Sequence, residues 1–295
     1  MLKNLCLLIC VLIGFLPTTD AQITKEFIIN EREGYDLVKF NFSSYKGTSF
    51  IKSGSSANPL RVHAHLSKAN ILPTFTQSIS HRILDASIDH QNIESENLGK
   101  RLSYQLFSGG NKGFDHAWYI DLNKNFFYDL NLNLGMGKAS LDLSNLPITN
   151  CKIKTVSADV NLDYSSNTPN TASMDTMMVA INMGTIDANR VNFSNAKHMF
   201  FDVSYGTVNL SFVDAVPGGS TVSTMVGAGS VNIDLPSGNF PFIIKVKSTA
   251  MSRTSIPKSL KEIGNKIYVS KGYDKNAEVL MTFLIDISVG SVSLK

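Results

Sequence analysis

Cysteine is scarce in this sequence, and where its three copies fall limits what they can do. Cys6 and Cys10 lie in an apolar opening stretch, so removal of that stretch leaves Cys151 as a lone thiol with no intramolecular disulfide to make. Cohesion must then come from burial and backbone pairing, which a chain of this length can supply because larger domains bury a greater fraction of their surface. Dense charge is missing as well. The net charge is +3, with basic residues scattered, a pattern that does not fit nucleic acid as a partner. Past residue 21 no apolar run is long enough to cross a bilayer as a helix. There is no Gly-x-Ser-x-Gly elbow and no recognisable order of His, Asp and Ser, so nucleophilic catalysis finds no support.

What the opening stretch does contain is Lys3 followed by an apolar run from Leu5 to Leu16. That run is about 12 residues, short of the roughly 20 a spanning helix needs. Pro17 to Ala21 then lead to a plausible cut before Gln22, so residues 1–21 are expected to be a signal peptide and Gln22–Lys295 the exported chain. Cys10 is a poor lipidation site, because the large Ile9 precedes it and it sits within the run rather than at its end. The expected location is periplasmic, outer-surface or secreted, with no transmembrane segment in the mature chain.

Apolar residues at helical spacing are hard to find, whereas alternation of apolar and polar residues, bounded by Gly, Asn, Ser and Pro, recurs along most of the chain. The expected class is all-β. A repeated phrase narrows it further: GMGKASLDL from Gly135, SADVNLDY from Ser157, MGTIDAN from Met183, YGTVNLSF from Tyr205, GAGSVNIDL from Gly227 and VGSVSLK from Val289. Aligned on Gly137, Ala158, Gly184, Gly206 and Gly229, the copies are 21, 26, 22 and 23 residues apart, with Gly290 about 60 further on. A period near 22 is one coil of a β-solenoid.

The second and fourth residues after the small one, such as Val208 and Leu210, should point inward, and the third should point outward. That third column reads Ser140, Asn161, Asp187, Asn209, Asn232 and Ser293, where stacked amides can hydrogen-bond along the array. The small residue itself suits a tight corner. The expected organisation is a signal peptide at 1–21, an N-terminal β region with an opening coil at 22–115, and repeats at 116–295. An insertion near 237–277 is expected to cover the stack as a loop or short helix.

From His116 to Tyr164 the run HAWYIDLNKNFFYDLNLNLGMGKASLDLSNLPITNCKIKTVSADVNLDY resembles the core of the bacterial toast-rack, or LiaF-like C-terminal, family: a Trp, a Leu-Asn pair, a Gly-x-Gly and an Asp-Leu-Ser-x-Leu in succession. The tail from Ile256 is similar to the way such domains end, and YDLVKFNFSSYKGTSFIKSG from Tyr35 resembles an opening coil. The resemblance implies a single-stranded β-solenoid in the cell envelope and names no catalytic residue. Members that regulate envelope-stress kinases carry transmembrane helices ahead of this domain, where this chain has the apolar leader instead.

Candidate chemistry is thin, and each candidate has a plain structural alternative. His63 and His65, two apart, share one face of a strand, a spacing metal sites use, yet strand histidines facing solvent look the same in sequence. His81, Asp89, His90 and His116 could join them only through the fold. Asp121, Asn123, Asn125 and Asp129 overlap the front of a calcium loop, but Phe126 stands where that loop needs Gly and Leu132 where it needs Glu. In the fifth column, Asp142 and Asp163 would be like-charged neighbours, either solvated or recruiting a cation. Cys151 reads as an inert thiol. Trp118, Tyr119, Phe126, Phe127 and Tyr128 read as core or as a sugar-stacking platform. Neither a cofactor nor a resident metal is expected. The sequence reading is a non-enzymatic exported module that binds an envelope protein or surface polysaccharide; the alternatives are an envelope-stress regulator and a polysaccharide-active solenoid enzyme.

Overall fold

The computed structural model describes residues 22–30, 33–67, 72–90, 116–214 and 218–295. The leader at 1–21, with Cys6 and Cys10, lies outside the described residues. In chain order the strands begin with β1 (Gln22–Ile28), β2 (Leu37–Gly54), β3 (Leu60–Ser67), β4 (Thr74–Ser80), β5 (Ile83–His90) and β6 (Ala117–Asn123). The long strands follow: β7 (Phe127–Asp142), β8 (Ile148–Asp163), β9 (Met174–Asn189), β10 (Ala196–Ser211) and β11 (Ser220–Asp234). The chain closes with β12 (Phe242–Ser248), β13 (Ser252–Ser255), β14 (Lys261–Gly264), β15 (Ile267–Val269) and β16 (Met281–Leu294). Among the described residues there is no α-helix, so none is long and apolar enough to cross a membrane.

Seven long strands stack in parallel and in register in the order β2-β7-β8-β9-β10-β11-β16. Each turns a corner at its middle. In β7, Tyr128, Leu130, Leu132 and Leu134 are buried, then Gly135 and Met136 both face out, and burial resumes one residue out of phase at Gly137, Ala139 and Leu141. A strand alternates with period two, so two successive outward residues mean that the backbone has bent and the interior has passed to the other phase. Every rung thus contributes one half to each of two half-sheets. The apolar core lies between them, and its third side is closed by the connecting loops through Leu143, Leu146, Tyr164, Phe193, Phe212 and Phe240, all buried. The expected inward pairs, Val208 with Leu210 and Val231 with Ile233 among them, are buried.

The corner requires glycine. Gly47, Gly137, Gly184, Gly206, Gly229 and Gly290 all have φ between 126° and 149°, and a Cβ on Gly206 would stand 1.8 Å from the carbonyl oxygen of Gly184. Ala158 occupies the same column without a positive φ. There the ladder between β8 and β9 breaks from Ser157 to Val160, and the Thr185 N–H turns to the Asp159 carboxylate at 3.2 Å instead.

At both ends the sheet forks. The first half of β2 pairs with β5 and then β4, while its second half pairs with β6, then β3 and β1. β5 and β6 together make one rung, split at its corner by residues 91–115. The stretch from Tyr35 therefore forms a full rung with Gly47 at its corner, but one rung in from the end. At the other end β16 pairs with β12 through its first half and with β13 through its second. The 237–277 stretch is thus not the loop or short helix expected to cover the stack. Phe242, Ile244 and Val246 continue the inward alternation and extend the sheet by a rung, while β14 and β15 form an antiparallel hairpin beside it.

Gly206→Ala is expected to destabilise the chain by more than about 2 kcal/mol, since the left-handed backbone alone disfavours a Cβ by roughly 1–2 kcal/mol and the adjacent rung must also move. Lys138→Ala, an exposed change in β7, is the control. Urea midpoints of the two variants compared with wild type check this; equal midpoints would remove the corner argument.

Candidate binding face

Past the corner, the outward positions of the second half-sheet form straight columns. In the third column Asn161 pairs in register with Asp187, Asp187 with Asn209, Asn209 with Asn232 and Asn232 with Ser293. The amides bond along the stack as expected: Asn209 Nδ2 donates to Asp187 Oδ1 at 2.6 Å, and Asn232 Nδ2 donates to Asn209 Oδ1 at 2.7 Å. Each of these bonds uses one N–H of a two-donor group, so the ladder fixes the amides while leaving donor and acceptor capacity facing outward. Beside it runs a hydroxyl column, Thr185, Thr207, Ser230 and Ser291, in which the two serines touch at 3.1 Å.

Toward the N-terminal end the amide column continues through Ser140, Phe50, Tyr119, His63 and Glu26. Phe50 and Tyr119 stack at 5.1 Å between centroids and 10° between planes, and both are more than a third exposed. Their partnership depends on β2 pairing with β6, so neither residue's place was legible from local pattern. Of the other aromatics, Trp118 and Tyr128 are core and Phe127 is exposed. The Tyr128 hydroxyl meets the Pro59 and Asn123 carbonyls at 2.7 and 2.8 Å, and burial pushes its pKa up.

The fifth column resolves its like-charge pair locally. Asp142 and Asp163 are register neighbours. Burial raises the Asp142 carboxyl, but hydrogen bonds from Ser144 and Ser165 outweigh it and hold the group below the ordinary carboxylate value. Ser144 donates from Oγ at 2.6 Å and from its backbone N–H at 3.1 Å, and the Ser165 hydroxyl bonds the other oxygen. The Arg190 guanidinium lies 3.8 Å from Asp163.

The metal candidates do not converge. His63 and His65 do share the outward face of β3, where His63 Nε2 is 3.3 Å from Glu26, which also accepts from Arg61 Nε at 2.7 Å. His65 Nδ1 meets the Thr24 hydroxyl at 3.3 Å and its ring stands edge-on to Tyr119. Asp121 lies in register between Lys52 and Arg61. Asn123 is buried and works as a turn: its Oδ1 accepts the Asn125 N–H at 2.9 Å and its Nδ2 donates to the Ser56 carbonyl at 2.8 Å. His90 and His116 do approach each other, with centroids 5.3 Å apart, but inside the core beside Tyr45 and Trp118 rather than near His63. The Ser67 N–H donates to His116 Nδ1, so in the neutral ring the other nitrogen carries the proton and donates to the Tyr45 hydroxyl at 2.9 Å. No group of three or more His, Cys, Asp or Glu comes together among the described residues. Cys151 is fully buried, and desolvation with help from Asp129 pushes its thiol up to about 12.

A family described as the N-terminal domain of toast_rack, DUF2154, matches residues 18–185. No curated protein matches significantly. Three solved structures are similar in part. One is from Clostridium sporogenes, provisionally described as a cell adhesion protein, at 15% identity and a TM-score of 0.48 over 93% of this chain and 99% of that one. Another, from Parabacteroides merdae and provisionally described as an adhesin, shows 14% identity and a TM-score of 0.30, covering 93% and 96%. The third, from Parabacteroides distasonis and provisionally described as a lipid binding protein, shows 8% identity and a TM-score of 0.28, covering 94% and 98%.

Two outcomes follow from this chemistry. Asp142→Asn keeps the shape but weakens the bonds from both serines, so it should cost about 1 kcal/mol at neutral pH. Because the folded carboxyl titrates below its unfolded value of ~3.9, the gap between wild type and variant is full above that value and closes as pH falls through the folded one; stability measured across acid pH checks both the size and the direction. Cys151 should resist iodoacetamide in the native chain and react once unfolded, as mass spectrometry before and after denaturant would show.

Proposed function

This chain belongs to the toast-rack family, whose N-terminal domain it carries at residues 18–185, and on that footing we propose that it is a non-enzymatic module of the cell envelope, exported by its apolar leader, that holds an extended surface polymer against the outward face of the second half-sheet. The observation that carries this reading is the unbroken polar column from Ser140 to Ser293 with its amide ladder. Rungs repeat every ~4.8 Å, so the face presents amides and hydroxyls at a fixed interval to any ligand with many hydroxyls of its own. Those groups are ordered before a ligand arrives, which removes much of the entropic cost of ordering them on binding. The exposed Phe50 and Tyr119 rings add an apolar step at the N-terminal end of the same column, where a sugar's C–H surface can rest. The carboxylates alongside are held by serines and Arg190, an arrangement that favours holding a ligand over transferring a proton to it.

The test uses the chain from Gln22 onward, which contains every described strand, incubated with detergent-extracted, lipid-free envelopes from its own cells and pelleted. Wild type should pellet, glycan hydrolase treatment of the envelopes should abolish this, and protease treatment should not. Asn209→Lys with Asn232→Lys places two bulky cations in the ladder and removes bonds worth about 0.5–1.5 kcal/mol each, so pelleting should fall by at least roughly tenfold. A chain that stays in the supernatant, or whose pelleting is abolished by protease, would overturn the reading.

A further inference from the structure

The first half-sheet has an outward face of a different character. One row across it reads Lys152, Met178, Phe200, Ser223, Leu284 and Lys245 on successive rungs, in register throughout. At ~4.8 Å per rung this part of the row is roughly 24 Å long and is bounded by a lysine on each side; past Lys152 the row continues through the polar Asn131 and Asn41. The next row toward the corner runs from Lys154 through Ala180, Asp202, Met225 and Asp286 to Lys247. Phe200, Met225 and Leu284 are each more than a third exposed; Met183, Tyr205 and Val289 are exposed only at the corner itself, beyond Asn182, Ser204 and Ser288. Phe200, Met225 and Leu284, with the half-exposed Met178, therefore gather on four adjacent rungs, β9, β10, β11 and β16. Single exposed apolar residues are ordinary, but a contiguous patch of this kind marks a surface that meets something.

The charges around the patch indicate what it meets. Lys152, Lys154 and Lys245 are exposed and have no carboxylate within ion-pair distance among the described residues, while Lys247 Nζ is paired with Asp286 at 2.7 Å. Asp202 is the remaining carboxylate of the two rows, leaving four lysines against two acids. Beyond Leu284 the β14–β15 hairpin, paired to β12, borders a groove of about 420 Å3 whose lining includes Met225, Lys245, Lys266 and Leu284, with the Lys266 ammonium donating to the Ser248 hydroxyl. A face that is apolar in its middle and cationic at both ends matches a surface with an apolar interior and anionic groups at its boundary. Long lysine stems can lie along such a surface with their ammonium groups at phosphate level, while Phe, Met and Leu enter the outermost acyl layer. A second copy meeting this face would instead bring lysine rows against lysine rows or leave them unpaired.

We infer that the outward face of the first half-sheet is a docking surface for an anionic lipid bilayer. It is a separate face from the amide ladder, and lipid vesicles contain no polymer, so the two readings succeed or fail independently. The chain from Gln22 onward is to be sedimented with vesicles of phosphatidylcholine alone and of phosphatidylcholine mixed with phosphatidylglycerol. Wild type should pellet with the mixed vesicles only, and salt should release it. Lys152→Gln, Lys154→Gln and Lys245→Gln combined should weaken this by roughly a hundredfold, given the contribution of each basic residue near such a surface. Phe200→Ser with Met225→Ser should also weaken it, and the charge-neutral ladder change Asn209→Ala with Asn232→Ala, on the other face, should leave it unchanged. All these positions point outward, and thermal unfolding of each variant confirms its fold. Failure of wild type to pellet with mixed vesicles overturns the proposal, as does binding that ignores lipid charge and the lysine substitutions. So does a stable dimer that the Phe200 and Met225 changes dissociate, because the face would then belong to a second copy.

Discussion

The structure depends on how closely backbone can approach backbone at the corner of each rung. A carbonyl oxygen of one rung stands where the next rung's Cβ would be, so six of the seven central rungs place glycine there with φ positive. Two consequences follow from that one contact. The strand can bend without ending, so its ladder runs nearly unbroken through both half-sheets. The inward phase also shifts by one residue at the bend, which is what lets a single strand bury apolar side chains on both sides of the corner. Ala158 shows the constraint by exception: with a Cβ in the column, the adjoining ladder opens and the Asp159 carboxylate takes over a backbone bond. Alanine is tolerated where a neighbouring side chain can make up the lost pairing.

Stacking in sequence order holds from β7 to β11 and fails at both ends. β2 lies between β7 and the split rung of β5 and β6, although the chain makes β2 before any of the three. β16, the last strand, lies between β11 and the rung of β12 and β13. β16 is therefore internal, paired on both sides, and the rung of β12 and β13 cannot settle against the stack until β16 has formed. Parallel pairings closed over so many residues are slow to form, because loop entropy is lost before the contacts compensate it. The arrangement has a structural return: β16 is held from both sides, and the outermost strands are short or carry charge, as with Lys261 and Glu262 in β14 and Lys25 and Glu26 in β1, which discourages pairing with other chains.

The sequence was most legible where the same phrase recurs. Glycine followed by alternating residues fixes the corner, the inward pair and the outward column together, so Asn209 and Asn232 could be placed beside Asp187 without coordinates. Legibility fell wherever a residue's neighbour comes from a distant segment. Phe50 meets Tyr119 only because β2 pairs with β6. The 237–277 stretch looked like an insertion because its strand Phe242–Ser248 lacks the glycine phrase, even though its alternation matches the half-sheet it extends. Asn123 resembled a calcium ligand because turns and metal loops both use a side-chain oxygen two residues ahead of a backbone N–H. The lysine-flanked apolar rows were missed for a related reason. The repeated phrase begins at the corner, so comparing its copies says nothing about the outward residues before it, and FF in KHMFFDV hides one inward ring, Phe201, beside one outward ring, Phe200.

The corner also separates two kinds of recognition. On the polar side, hydrogen bonds to a ligand compete with water and are worth little each, about 0.5–1.5 kcal/mol, so affinity must accumulate over many rungs. Accumulation depends on register. A ligand whose repeat differs by ~0.4 Å from the ~4.8 Å rung is half a rung out of step after about six rungs, and further length then adds nothing. A ligand held on the proposed polar face would therefore be selected by repeat distance more than by any single group, and the selection would sharpen with the number of rungs kept in line. This gives the evenness of the glycine corners a functional consequence: a corner that let one rung slip would spoil the outward spacing as well as the inward packing. The apolar face has no such requirement, because burial of Phe200, Met225 and Leu284 is non-directional and scales with area. One backbone constraint thus supports a face that measures distance and another that does not.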